Sequence, residues 1–228
     1  MTVGYIQDSD SLDIEGIIGE VEDLQQSLLE WFDWNGRHWI PWKLKPDGTI
    51  ANSGECLSVY GIWVAEVMLQ QTQLKVVVPY WQKWMTIFPS IIALAEADEQ
   101  EVLLHWQGLG YYSRAKRLHN TAQILVGLNN SKIFFSESFW PRKLEKWIEL
   151  PGIGRSTAGS ILSSAFDLPT PLLDGNLKRI FSRLIASQLS PNKNEFRLWQ
   201  LSDILLDQRF PRKFNQALMD LGANVCTP

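Results

Sequence analysis

The spacing of hydrophobic residues predicts helices along almost the whole chain. Between residues 21 and 34 the apolar side chains recur every three or four positions, as on one face of an α-helix. No stretch alternates convincingly with the period of two that a half-buried strand shows. Further helices are predicted at residues 80–88, 91–97, 99–106, 108–128, 144–150, 155–166, 176–186, 192–206 and 211–222. The pattern therefore predicts an all-α fold.

One further helix is apolar on nearly every side. Residues 62–69 carry Glu66 as their sole charge, and such a helix is expected to be buried. We expect it to continue to about residues 74–78 and to end before Pro79. A buried carboxyl group is costly to ionise and its pKa rises, so Glu66 can serve as a proton donor near neutral pH. The alternative is a structural glutamate that is satisfied by the N-terminus of a neighbouring helix.

Residues 144–166 predict two helices joined by a tight turn, which we call the hairpin. Pro151 and Gly152 end the first helix, and Gly154 permits the turn into the second. The first N–H groups of a helix have no acceptor within it, and the helix dipole favours negative charge at that end. This arrangement suits a phosphate group. The alternative is an ordinary corner between two helices.

A second glycine-rich turn opens the helix that runs to residue 128. Residues 108–112, the tyrosine loop, combine two glycines with Tyr111 and Tyr112, and only positive charges follow up to residue 119. Aromatic planes and basic side chains suit the stacking of bases and the binding of phosphates. The alternative is a loop that packs over aromatic core residues and leads into a solvated basic helix face.

Length and composition limit the possible classes of protein. The chain has 228 residues, of which 45% are hydrophobic, enough for one large domain or two lobes. It contains no run of about 18 apolar residues, and its acidic N-terminus lacks the features of a secretion signal. The two distant cysteines form no disulfide framework. We therefore expect a cytoplasmic protein, associated with the nucleoid if it is bacterial.

The net charge of −4 is unevenly distributed. Residues 1–33 contain nine acidic residues and no lysine or arginine, which leaves +5 for residues 34–228. We expect residues 1–20 to form a mobile tail. The remainder is mildly basic, which is compatible with a face that contacts phosphates and also with a mixed solvated surface.

Five strings in the chain resemble the MutY-type adenine DNA glycosylases of the helix-hairpin-helix superfamily. The strings are VAEVMLQQTQ (64–73), QGLGYYSRA (107–115), LPGIGRSTAG (150–159), LDGN (173–176) and FNQALMDLGA (214–223). The resemblance extends from about residue 24 to residue 226. It implies a two-lobed all-α fold with DNA bound across the cleft. One lobe is a six-helix barrel at 57–168, with the hairpin at 144–166, and residues 21–56 and 169–228 form the other.

The resemblance also assigns roles to individual residues. Glu66 corresponds to the catalytic acid and Asp174 to the catalytic aspartate that stabilises a developing sugar cation. The implied partner is double-stranded DNA in which adenine is mispaired with oxidised guanine or with guanine, bound by a monomer. The implied DNA-binding residues are Gln70, Gln71, Thr72, Leu109, Gly110, Tyr111, Arg114, Gly152, Gly154, Arg155, Ser156, Thr157 and Asn176.

Ser156 separates two branches of the superfamily. The related endonuclease III branch has a lysine at this place, which attacks the sugar and enables strand cleavage. A serine cannot form a Schiff base, so we predict a monofunctional glycosylase that leaves an abasic site. The alternatives are a bifunctional pyrimidine-damage glycosylase with lyase activity, and a helix-hairpin-helix module that binds DNA without catalysis.

The C-terminal region departs from the family pattern. The family usually holds a four-iron, four-sulfur cluster on four closely spaced cysteines, of which only Cys226 has a counterpart before the last residue, Pro228. One cysteine cannot build a four-cysteine site, so we expect this chain to bind no cluster. We expect these 228 residues to lack the family's domain that reads oxidised guanine, and residues 43–58 are longer than usual for the family. We interpret the chain as a fragment or as a form without a cluster.

Overall fold

The computed structural model describes residues 19–128 and 139–228. Within these ranges the regular structure is helical, apart from an isolated antiparallel bridge between Leu44 and Ile50. The predicted all-α fold is confirmed. The tail expected at residues 1–20 lies, except for its last two residues, outside the described ranges, and so does most of the loop expected after residue 128.

Eleven α-helices are present among the described residues. They are α1 (Val21–Asn35), α2 (Val59–Leu69), α3 (Leu74–Ile87), α4 (Ile91–Glu96), α5 (Glu99–Trp106), α6 (Ser113–Leu128), α7 (Leu144–Ile148), α8 (Arg155–Phe166), α9 (Gly175–Leu184), α10 (Glu195–Leu205) and α11 (Pro211–Asn224). A short 3₁₀ helix spans Pro41–Lys43. The chain divides into two compact units, Arg37–Thr170 and Met1–Gly36 with Pro171–Pro228.

The core of the larger unit, Arg37–Thr170, is built around α2. This helix contacts α3, α6 and α8, which explains why it has no polar face. Ser58 accepts a hydrogen bond from the backbone N–H of Gly61 and so caps the start of the helix. Four tryptophans of the unit are fully buried and supply much of the apolar area; these are Trp63, Trp84, Trp106 and Trp147.

The end of α2 differs from the prediction. The helix stops at Leu69, and a new helix, α3, begins at Leu74 and continues through Pro79. Gln71 adopts the left-handed conformation, with φ of 58°, which breaks the helix before the proline is reached. The expectation that the helix ends just before Pro79 was wrong. The helix ends at Leu69, in a turn whose Gln70 carbonyl accepts a hydrogen bond from Arg114 of α6.

The boundary between the two units also lies earlier than expected. Residues 37–56 belong with the larger unit, although residues 21–56 were expected to join the second lobe. Trp42 packs against Trp81 with ring centroids 5.5 Å apart. The Leu57 N–H donates to the Ala165 carbonyl at 2.8 Å, and the Gly54 N–H donates to the carboxylate of Asp167 at 2.7 Å. The segment is therefore anchored at the end of α8.

The smaller unit joins the N-terminal helix α1 to helices from the C-terminal part of the chain. Phe32 packs into a core with Phe181, Leu198 and Phe214. Gln25 donates from Nε2 to the Leu205 carbonyl at 3.0 Å, which ties α1 to the end of α10. None of the described helices combines the length and apolar character that a membrane span requires.

Candidate functional site

Glu66 is a partly buried carboxyl group on an otherwise apolar helix. Its neighbours Ala65 and Val67 are 0% and 5% exposed. The hydroxyl of Ser160, on α8, donates to Glu66 Oε1 at 2.8 Å. A hydroxyl can donate to either protonation state of a carboxyl group, so this contact orients Glu66 without fixing its charge. Sequence reasoning missed Ser160, although it is one of the few polar residues on the buried face of α8.

Two exposed segments of the larger unit contain residues in the left-handed region. Gln71 lies in the turn at residues 70–72, which we call the glutamine turn, and Tyr111 lies in the tyrosine loop. Their φ angles are 58° and 47°, and Tyr111 is 62% exposed. This conformation costs a non-glycine residue about 1–2 kcal/mol. Strain of this kind is concentrated at binding sites, where it presents a side chain in a set direction.

Arg114 does not occupy the position expected of a DNA-contacting cation. It is 6% exposed, and its guanidinium is directed at backbone oxygens instead of solvent. Nη1 donates to the carbonyls of Val67, Met68 and Gln70, and Nη2 donates to Thr72 Oγ1 and to the carbonyls of Leu109 and Gly110. These hydrogen bonds show internal support by Arg114, whereas its predicted contact with DNA stays a prediction. They also bring together two motifs that are far apart in sequence.

Leu109, which the resemblance places among the DNA-binding residues, is buried as well. Its side chain is 5% exposed and belongs to the core of the larger unit. The exposed members of the predicted contact set in these two segments are Gln71 and Tyr111.

The hairpin consists of two helices joined by a turn, as the sequence predicted, although its first helix ends at Ile148 instead of Leu150. Gly152 has φ of 80°, and a Cβ at this position would lie 2.9 Å from Cδ of Arg117. Gly154 occupies the N-cap of α8 and supplies no side-chain cap, and its carbonyl accepts from the N–H of Ala158 at 2.9 Å. The N–H groups ahead of this bond point out of the helix end. Arg155 is exposed at this end, while Ser156 and Thr157 are partly buried.

A small surface depression of the larger unit is lined by residues of both the hairpin and the glutamine turn. Its lining comprises Trp63, Val67, Gln70, Arg114, Arg117, Leu118, Pro151 and Gly152. The residues come from α2, the glutamine turn, α6 and the hairpin. Predicted contact residues from two separate motifs, Gln70 and Gly152, therefore border one depression of the larger unit.

Asp174 lies in the smaller unit and is the N-cap of α9. Its Oδ1 accepts from the backbone N–H of Leu177 at 2.8 Å, and its Oδ2 accepts from Asn176 Nδ2 at 3.3 Å. Burial raises the pKa of the Asp174 carboxyl, while the amide donors and the charge of Arg179 oppose this rise. Asn176, predicted as a DNA contact, also accepts from Arg179 Nη2 at 2.9 Å. Both residues therefore have structural contacts within their own unit.

The cysteines of this chain do not fit a four-iron cluster. Cys226 Sγ lies 3.0 Å from Nη1 of Arg183, and its carbonyl accepts from Arg179 Nε at 2.7 Å. Cys56, the other cysteine of the sequence, belongs to the larger unit. Across residues 19–128 and 139–228, no group of three or more His, Cys, Asp or Glu side chains could hold a metal ion. A cluster with four thiolate ligands has no donor set here.

Curated relatives resemble the chain over most of its length. The adenine DNA glycosylase of Buchnera aphidicola subsp. Schizaphis graminum (strain Sg) is 40% identical over 205 residues, which cover 89% of this chain and 54% of that protein. The Homo sapiens adenine DNA glycosylase is 39% identical over 214 residues, or 92% of this chain and 37% of that protein. The chain spans about half the length of the first three relatives that it matches.

Solved structures share the fold. A thermostable thymine-DNA glycosylase aligns with a TM-score of 0.73 at 21% identity, covering 92% of this chain and 89% of that chain. A non-covalent endonuclease III–DNA complex aligns with a TM-score of 0.66 at 15% identity, covering 92% and 87%. The family described as HhH-GPD superfamily base excision DNA repair protein matches residues 64–202. Because this match covers more than half of the 228 residues of the chain, the chain belongs to the HhH-GPD superfamily of base excision DNA repair proteins.

Proposed function

We propose that this chain is an adenine DNA glycosylase of base excision repair, which removes adenine mispaired with oxidised guanine or with guanine. The observation that carries the proposal is Glu66, a partly buried acid on an apolar helix, oriented by Ser160 at 2.8 Å. Relatives named adenine DNA glycosylase, which match about nine-tenths of the chain, support the choice of adenine. The enzyme acts as a monomer on chromosomal double-stranded DNA.

Each carboxyl group has a separate role in the proposed reaction. Protonated Glu66 donates its proton to a nitrogen of the adenine ring, so the glycosidic bond breaks with its electron pair leaving on the base. Ionised Asp174 stabilises the positive charge that develops on the sugar. Water then adds to the sugar and releases a proton, which leaves adenine and an abasic site. No step requires an iron–sulfur cluster.

Base removal proceeds without strand cleavage in this proposal. Ser156 stands in the hairpin where a bifunctional enzyme needs an amine to form a Schiff base with the sugar. The hairpin and the exposed Tyr111 provide the contacts to DNA, through backbone N–H groups at the start of α8 and through an aromatic plane.

Adenine release from a synthetic duplex tests the proposed function. Wild-type protein is incubated with duplexes that carry adenine opposite oxidised guanine, guanine or thymine, and strand breaks are measured before and after alkali. We expect breaks after alkali only, and only in the two mispaired duplexes. Glu66→Gln is the control variant: it should keep DNA affinity and lose at least about a hundredfold in single-turnover base release, since a general acid contributes that much or more.

The assay distinguishes the alternatives when a duplex that carries an oxidised pyrimidine is added to the set. Release of that pyrimidine, with nicking before alkali, would indicate a bifunctional pyrimidine-damage glycosylase. Tight DNA binding without release of any base would indicate a binding module. Unchanged release by Glu66→Gln would remove Glu66 from the mechanism.

A further inference from the structure

Arg114 lies between two exposed segments, each of which holds a residue in the left-handed conformation. In the glutamine turn this residue is Gln71, and in the tyrosine loop it is Tyr111. A non-glycine residue keeps this conformation only where the surrounding structure supports it. Contacts from the surrounding structure must therefore hold Gln71 and Tyr111 in this conformation.

The guanidinium of Arg114 contacts the backbone or side chain next to each strained residue. Around Gln71 it donates to the Gln70 carbonyl and, at 3.1 Å, to Thr72 Oγ1. Before Tyr111 it donates to the carbonyls of Leu109 at 3.0 Å and Gly110 at 3.2 Å. The guanidinium carbon also lies 5.5 Å from the centroid of the Tyr111 ring, within the range of a cation–π contact.

Only an arginine has the shape for these contacts. Its planar fork presents several N–H donors in fixed directions, so one group can bind oxygens from two segments at once. A lysine ammonium has three donors at a single point and cannot span them. The side chain is buried, and its guanidinium also donates to the carbonyls of Val67 and Met68 at the end of α2. That helix carries Glu66.

We propose that Arg114 is a positioning residue that holds the glutamine turn and the tyrosine loop in one joint arrangement, so that neither segment adopts its binding conformation alone. Arg114 itself contacts no nucleotide. Its role in DNA recognition rests on the proposed function, because Gln71 and Tyr111 are the groups that it presents to the duplex. The coupling between the two segments is a property of the free protein and can be measured without DNA.

Hydrogen exchange of the free protein tests the coupling. In Arg114→Lys we expect amide exchange to rise at least tenfold in both segments together, with α4 and the helices of the smaller unit unchanged. Arg142→Lys is the matched control, because Arg142 is an exposed arginine of the same unit that contacts the Phe166 ring. Faster exchange in one segment only, uniform loosening of the whole unit, or no change would each overturn the proposal.

A milder substitution tests whether the effect passes through Arg114. Thr72→Val keeps the shape of the side chain and removes one acceptor of the guanidinium in the glutamine turn. We expect exchange to rise in the tyrosine loop as well, although the substitution lies in the other segment. An effect confined to residues 70–73 would contradict a joint arrangement.

DNA affinity provides a second readout that general destabilisation would not alter. In the wild-type background, the dissociation constant of the Gln71→Ala/Tyr111→Ala double variant for a mispaired duplex should differ at least about threefold from the value expected if the two single effects were independent. In the Arg114→Lys background this coupling should vanish. If it persists unchanged, Arg114 does not link the segments.

The two proposals fail in different ways. Joint exchange of the segments in a protein that releases no adenine would sustain the role of Arg114 and reject the glycosylase activity. Independent exchange of the segments in an active enzyme would sustain the glycosylase activity and reject the role of Arg114.

Discussion

Asp174 has two roles: it caps a helix, and in the proposed reaction it must carry a negative charge. As the N-cap of α9 it accepts from the Leu177 N–H at 2.8 Å, which favours a carboxylate. Its partial burial acts in the opposite direction and raises its pKa. The net rise means that the ionised form is held at a cost in stability, as is common where a charge is kept for chemistry.

Asp174→Asn should separate these two roles. Asparagine caps a helix about as well as aspartate, so the variant should unfold at a higher temperature than wild type at pH 7 and lose base release. The pKa of Asp174 is higher in the folded than in the unfolded chain. The stability of the wild-type fold therefore falls as pH rises from the unfolded pKa to the folded pKa. The advantage of the variant should therefore shrink as pH falls toward the ordinary value of 3.8.

Thermal unfolding over a pH series measures this effect. Asp98→Asn is the matched control, since Asp98 is an exposed N-cap that accepts from the Gln100 N–H at 2.7 Å. A lower unfolding temperature for Asp174→Asn at pH 7, or an advantage that grows in acid, would show that the capping carboxylate stabilises the fold.

At the scale of elements, the hairpin and the two exposed segments are short connections positioned by buried helices. Trp147 of α7 is fully buried, with its Nε1 donating to the Pro141 carbonyl at 2.8 Å, and the first residues of α8 extend beyond this anchor. The Thr121 hydroxyl of α6 donates to the Pro151 carbonyl at 3.1 Å. The turn of the hairpin is thus held from two sides, and a fixed helix end suits the phosphate contact that we propose for it.

Two glycines of the hairpin should respond differently to alanine. Gly152→Ala should destabilise the protein by about 1–2 kcal/mol, because φ of 80° is strained for alanine and Arg117 must also move. Gly154→Ala should cost less, since its Cβ would meet no atom within 4 Å. Both should weaken DNA binding several-fold, because each alters the helix end that we propose as a phosphate contact.

Denaturant unfolding and DNA titration check these expectations. If Gly154→Ala left DNA affinity unchanged, the start of α8 would not be a phosphate site. Equal losses of stability for the two variants would argue against the strained turn as the reason for Gly152.

At the scale of the whole molecule, each unit has its own core. Trp63 and its neighbours fill the larger unit, and Phe181, Leu198 and Phe214 fill the smaller one. In the smaller unit Arg179 and Arg183 bind the backbone around Cys226, which ties the last described residues to α9. These contacts hold the C-terminal segment in place with side chains of this chain alone.

Purified chain should therefore contain no four-iron cluster. Iron analysis should give much less than four iron atoms per chain, and a chelator should leave helicity and unfolding temperature unchanged, because the fold of both units rests on apolar cores. Arg183→Ala tests the internal tether and should lower the unfolding temperature slightly. Stoichiometric iron, or loss of structure on chelation, would contradict this expectation.

Local patterns in the sequence determined the helices and the candidate acids. The apolar period predicted α5 and α8 nearly to the residue, and the isolated charge of Glu66 on an apolar helix was visible without a structure. The helix–turn–helix geometry of the hairpin followed from Pro151 and two glycines, and its phosphate-binding role stays a prediction. These features are readable because they depend on neighbours within a few positions along the chain.

The tertiary structure decided what depends on contacts between distant residues. It buried Arg114, paired Ser160 with Glu66 across 94 positions, ended α2 at Leu69 and placed residues 37–56 in the larger unit. From its basic stretch of sequence, Arg114 is predicted to be a surface cation. The sequence does not show that carbonyls 44 to 47 positions away accept hydrogen bonds from it. Packing of α2 against α6 and α8 creates these pairs, and packing has no local signature.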